Sequence, residues 1–153
     1  MSVANYRSKA HLFIVSHKTP PDEICGKLGI RCDETILKGS PNLSGKPDRH
    51  PFNIIIFHSQ VNRSLDMAKH AEDLLGRLLP IRSKIRSLPK SCSATLNFQY
   101  RMSQDGGWSF SPSILRAIAK LGLPCVFTLD LAKVKEPAPN VTGKKRKSAN
   151  LGA

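Results

Sequence analysis

The chain has 153 residues, 40% of them apolar and 23% charged, with a net charge of +13. That is enough for one packed domain and too apolar for wholesale disorder. No apolar run reaches the roughly 20 residues of a membrane span, and Leu12–Val15 falls short of a signal-peptide core of about 7–15 residues, so a cytosolic protein is the expectation.

Leu12, Phe13, Ile14 and Val15 form a continuous apolar run, a buried first strand. Thr19 is placed to cap a helix, with Pro20 in its first turn, Asp22 and Glu23 at its positive end, Ile24 and Leu28 on one face and Gly29 as the stop. Glu34 to Lys38 reads as a strand closed by Gly39, and residues 40–51 as a Ser-, Pro- and Gly-rich loop. FNIIIFH at 52–58 reads as a central strand.

The longest helix begins at Asn62 or Ser64. Its apolar stripe is Leu65, Ala68, Ala71, Leu75, Leu78 and Leu79. Pro80 breaks it, and 81–88 continue as a second helical piece in which Arg82, Lys84 and Arg86 alternate with Ile81, Ile85 and Leu88. In the strand 94–102, Ala94, Leu96, Phe98, Tyr100 and Met102 point one way, and Thr95, Asn97, Gln99 and Arg101 the other. SQDGG then predicts a hairpin turn into a short strand at Trp108, giving one hairpin over 94–110.

Ser111 is an N-cap, Pro112 a first helical residue and Gly122 a C-terminal stop; Ile114, Leu115, Ile118 and Leu121 share the helix face between. Cys125, Phe127, Leu129 and Leu131 alternate with polar or smaller residues in a last strand. KLGI at 27–30 echoes KLGL at 120–123. The expected order is β-α-β-β-α-β-β-α-β over residues 1–133, an α+β domain whose mostly antiparallel sheet is covered by helices on one face. Residues 134–153 read as a basic, disordered tail.

FIVSHKTPPDEICGKLGI at 13–30, LKGS at 37–40, the 64–88 helix and the LNFQY and WSFSPSILRAIAKLGLPCVFTLDL stretches within 96–131 resemble a family of small bacterial domains, domain of unknown function 4279. The resemblance covers roughly 11–131. It implies a small protein without established activity, of the kind encoded beside toxins, hence an immunity or protein-binding role. Ile36 and Phe52 stand where the family pattern leads one to expect tryptophan, which weakens any tryptophan-dependent surface.

No catalytic site is expected. The sequence has no GxSxG, HExxH, P-loop or GxGxxG arrangement. Asp22 and Glu23 read as dipole-compensating residues, and His17 and His58 as solvated strand-end histidines. Cys25, Cys32, Cys92 and Cys125 have neither CxxC nor zinc-finger spacing, so they read as reduced thiols, with no metal and no cofactor implied.

Charge points to an acidic partner. Between Asp73 and Asp105 lie Arg77, Arg82, Lys84, Arg86, Lys90 and Arg101 with no acid among them. The tail adds Lys144, Lys145, Arg146 and Lys147. Two readings stay open. In one, Thr95, Asn97, Gln99 and Arg101 form an uncovered face that docks an acidic protein. In the other, Arg82, Lys84, Arg86, Lys90 and the tail grip the phosphates of nucleic acid without base preference.

Overall fold

The structure is a computed structural model that describes residues 7–42, 48–63, 66–102 and 107–131. In chain order its elements are β1 (Arg7–Ser16), α1 (Pro21–Leu28), β2 (Glu34–Ile36), β3 (Asn53–His58), α2 (Met67–Leu78), a 3-10 turn (Leu79–Ile81), α3 (Arg82–Arg86), β4 (Cys92–Met102), α4 (Pro112–Leu121) and β5 (Cys125–Leu131). The strands make one sheet in the order β2-β3-β1-β4-β5. β1 sits in the middle, antiparallel to both β3 and β4, with Leu12 opposite Phe57 on one side and Leu96 on the other.

The fold is α+β, with one correction to the expected order. β5 runs parallel to β4, pairing Leu96 with Cys125 and Met102 with Leu131. Residues 107–111 form no strand, so the hairpin expected over 94–110 is absent. Its Ser103–Gly106 portion lies outside the described residues, whereas Gly107 does not. A parallel neighbour needs a crossover of a dozen or more residues, and α4 with its flanks supplies one. The sheet is therefore mixed.

Alternation sorts the strands into two faces. Ala10, Leu12 and Ile14 of β1, Ile55 and Phe57 of β3, and Leu96, Phe98 and Tyr100 of β4 join Ile24 and Leu28 of α1, five residues of α2, and Ile114 and Leu121 of α4 in one core. The helices cover that face alone. Towards β5 this cover thins. Phe127 stacks on Phe98 and Trp108 at ring distances of 5.4 and 5.2 Å, yet it stays 48% exposed, and Leu129 is 54% exposed. The alternation of the strand puts both on its apolar side, but an edge strand has no neighbour beyond it.

The caps show which local signals decide the helices. Ser111 Oγ accepts from Ile114 N–H and Gly122 stops α4 at φ 65°, as expected. On that helix Ile114, Ala117, Ile118 and Leu121 turn inward, while Leu115 is exposed. α1 starts one residue later than expected, with Pro20 as N-cap and Pro21 in the first turn. Thr19 is held instead by buried Ser16, whose Oγ accepts from Thr19 N–H and donates to Thr19 O, both at 2.9 Å. The N-cap of α2 is Asp66, accepting from Lys69 N–H at 2.9 Å, later than the expected start at Asn62 or at Ser64, which lies outside the described residues.

Cys25 and Cys32 form a disulfide across seven residues, with Cα atoms 6.1 Å apart. This corrects the expectation of four reduced thiols, and it is at odds with the cytosolic default on which that expectation rested. The physical reason is the left-handed turn at Gly29, φ 70°, which folds the following chain back along α1. Cys92 and Cys125 are free, and burial pushes the Cys125 thiol up. No helix among the described residues is long and apolar enough to cross a membrane.

Candidate functional site

The face of the sheet away from the helices carries Lys9, His11, Phe13 and Val15 of β1, Ile54, Ile56 and His58 of β3, and Thr95, Asn97, Gln99 and Arg101 of β4. The four β4 residues lie side by side as expected. Gln99 Nε2 donates to Asp130 Oδ2 of β5 at 3.2 Å, which extends the polar half. The other half is apolar. Ile36, Ile54 and Val15 are direct cross-strand neighbours, as are Ile56 and Phe13. Periodicity missed this half because LFIV at 12–15 and IIIF at 54–57 are apolar at every position and read as buried on both sides.

One end of this face carries a histidine cluster. His11 and His58 face each other across β1 and β3, with Nδ1 atoms 2.7 Å apart. A single proton joins two such nitrogens. His58 Nε2 lies 3.1 Å from Glu34 Oε2, so a neutral His58 donates there and accepts at Nδ1 from His11. Behind the pair, Ser59 Oγ and His70 Nδ1 of α2 are 2.6 Å apart, and Ser59 N–H donates to Ala10 O at 2.9 Å. Burial pushes the His11 imidazole from 6.5 down to about 4, helped by His58, Lys9, His70 and Arg63. His70 also lies below its ordinary value, burial outweighing the backbone of Asn62 and the nearby Asp73 and Asp66.

Arg77 and Asp33 brace this end. Arg77 Nη1 donates to Asp33 Oδ2 at 3.1 Å and also to His58 O, while His58 N–H donates to Asp33 at 2.7 Å. Burial alone would raise the Asp33 carboxyl, but the hydrogen bonds from Arg77 and His58 and the Arg77 charge hold it below the usual carboxylate range. A cavity of about 430 Å³ opens here, bounded by Lys9, His11, His58, Arg63 and His70 among others. A second, of about 110 Å³, shares Lys9 and Arg63 and reaches Gln99, Arg101 and Asp130.

The expected phosphate-gripping residues are divided. Lys84 Nζ donates to Leu28 O, the end of α1, at 3.2 Å. Arg86 donates from Nε to Leu121 O at 3.3 Å and from Nη2 to Lys120 O at 2.7 Å, the end of α4. The last carbonyls of a helix lack intrahelical partners and carry partial negative charge, so these cations act as C-terminal caps. The KLGI and KLGL echo thus has a shared physical role: each Leu-Gly stop receives a cation from α3. Arg82 and Lys90 are exposed. Lys144, Lys145, Arg146 and Lys147 lie outside the described residues.

Asp22 and Glu23 sit in the first turn of α1, and Glu23 pairs with Lys27 at 2.8 Å. His17 is exposed with its ring 4.4 Å from that of Phe52. His58, by contrast, is held in the cluster rather than solvated at a loop. Among the described residues no three His, Cys, Asp or Glu side chains are grouped to hold a metal ion.

The profile of the family described as Domain of unknown function (DUF4279) matches residues 5–132. The chain belongs to this family. Within it, Ile36 joins the apolar half of the open face, and Phe52 packs beside His17. No curated protein and no solved structure matches the chain.

Proposed function

We propose that the chain is a non-enzymatic binding protein that docks an acidic protein partner on the helix-free face of its sheet. The observation that carries this reading is the composition of that face. An apolar row of Phe13, Val15, Ile36 and Ile54 adjoins the hydrogen-bonding row of Thr95, Asn97, Gln99 and Arg101. Protein interfaces have this layout, an apolar centre beside a polar rim. Lys9, Arg63 and Arg101 flank the polar half, and with a net charge of +13 they favour an acidic surface and steer its approach. An immunity-like masking role is one form of this function.

Nucleic acid is the weaker reading. Lys84 and Arg86 spend their hydrogen bonds on helix ends, so the basic run is not a free phosphate-binding stripe. Sheets that bind single strands display aromatic platforms, and here Phe98 and Tyr100 are buried on the opposite face.

The test places a photo-crosslinking residue at Asn97 in one variant and at Glu72, on the exposed side of α2, in another. The Asn97 variant should trap an acidic protein, the Glu72 variant should not, and Arg101→Glu should weaken the reconstituted complex about tenfold. Crosslinks from Glu72 alone, or nucleic acid as the trapped species, would contradict the proposal.

A further inference from the structure

We propose that the cavity at the His11–His58 end of the sheet binds a small organic phosphate. This site adjoins the sheet-face docking surface and shares Lys9 and Arg63 with its flank, but Thr95 and Asn97 do not line it.

The first argument is charge without a counterion. Lys9 and Arg63 border both cavities, and Arg101 borders the smaller. Among the described residues none of the three forms an ion pair. The acids nearby are engaged elsewhere. Asp33 is bound by Arg77 and His58 N–H, Glu34 by His58, Asp130 by Gln99, and Asp73 by Gln60 N–H. Asp33, the carboxylate that lines the larger cavity, is neutralised by Arg77, so Lys9 and Arg63 leave that recess positive; Asp130, in the smaller one, keeps its charge. Arg63 and Arg101 are exposed and Lys9 is half-buried, so their side chains can turn to an anion at the recess and bind it through charge-assisted hydrogen bonds.

The second argument is the donor set. Lys9 and Arg63 supply N–H donors, and the His11 and His58 rings and the Ser59 hydroxyl, itself bonded to His70, line the wall. Lysine, arginine, histidine and serine together suit the three peripheral oxygens of a phosphate better than the two of a carboxylate. Size then separates an organic phosphate from the free ion. A volume of about 430 Å³ lies within the roughly 300–1,000 Å³ of small-molecule sites and leaves room beyond the phosphate. The wall is polar except for Val61, which suits a hydroxylated body such as a sugar.

Burial first, and then the same field, hold His11 neutral. Lys9 on its own strand, His58 on β3, His70 on α2 and Arg63 in the connection between them all disfavour its imidazolium. Glu34 of β2 meets His58, Asp33 is paired with Arg77 of α2, and Asp73 of α2 accepts from Gln60 N–H. A dianion bound beside Lys9 and Arg63 offsets that repulsion, so His11 takes up a proton at higher pH when the site is filled. Binding and protonation are linked, and each reports on the other.

The experiment titrates the full chain with ribose 5-phosphate, inorganic phosphate and ribose, following heat and the His11 ring resonances. Ribose 5-phosphate should saturate, inorganic phosphate should bind more weakly, and ribose should not bind. The His11 titration midpoint should rise with ribose 5-phosphate. Arg63→Gln and Lys9→Gln should each weaken binding at least about tenfold, whereas Lys90→Gln on the far side should leave it unchanged. Equal loss in all three variants would reduce the effect to net charge and overturn the site. So would equal binding of ribose, or the absence of saturation. An acidic peptide that moves the His11 resonances where the phosphates do not would also overturn it, and would assign the cavity to the protein partner. Failure here leaves the crosslinking result at Asn97 standing.

Discussion

If Arg86 caps α4, its contribution is coupled to Gly122 and can be read from a double-mutant cycle. Arg86→Ala removes two charge-assisted hydrogen bonds, to Leu121 O and Lys120 O. Buried bonds of this kind contribute about 1.5–3 kcal/mol each, but Arg86 is exposed, and screening brings the pair to about 1 kcal/mol. Gly122→Ala forces a side chain into φ 65°, at a cost of about 1–2 kcal/mol. Its Cβ would also lie 3.0 Å from Arg86 Nη2, so the guanidinium must shift by a few tenths of an ångström, which weakens its bonds to the helix end. The single variants should lose about 1 and 2–3 kcal/mol, and the double variant no more than about 3. The coupling is then about 0.5–1 kcal/mol, measured from urea midpoints at unchanged slope. Additivity within about 0.3 kcal/mol would refute the capping role and return Arg86 to the pool of free surface charge.

Three further outcomes follow from the same geometry. Replacing Cys25 and Cys32 by serine should cost about 2 kcal/mol, the chain-entropy value for so short a loop, and lower Tm by about 4–8 °C; reductant should bring the wild type to the same Tm, and indifference to reductant would show the thiols unpaired. Because His11 is depressed from 6.5 to about 4, stability should hold above pH 6.5 and fall between there and pH 4, where the unfolded chain takes a proton that the folded one refuses. With 9% exposure and an open cavity beside it, the loss should be about 1–2 kcal/mol, and His11→Gln should flatten the profile; an unchanged profile would refute it. Arg77→Met should cost about 1–2 kcal/mol at pH 7 by stranding Asp33. As Asp33 sits below the usual range, that penalty should shrink as pH falls below about 4, and a pH-independent gap would argue against the pair.

What could be read from the chain follows the range of the signal. α4 was legible because Ser111, Pro112 and Gly122 act within a turn of their own positions. The β4 alternation was legible because one face is buried and the other open. The parallel placement of β5 was not. The Asp-Gly dipeptide is a local hairpin signal, and it competes with a crossover whose closure depends on α4 packing against α2 and the 3-10 turn. The histidine cluster joins positions 11, 58 and 70, from a strand, its neighbour and a helix, so no spacing along the chain announces it. The paired Leu-Gly stops were visible as an echo, but their shared use of Lys84 and Arg86 appears only once α3 is set between the two helix ends.

An NMR map of the full chain titrated with the crosslinked partner tests most directly whether the sheet face is the docking surface. The resonances that move should be those of Phe13, Val15, Thr95, Asn97, Gln99 and Arg101, with those of Arg82, Lys84, Arg86 and Lys90 unmoved. Movement confined to the α3 residues, with the sheet face silent, would contradict the account and make the basic helix the binding element.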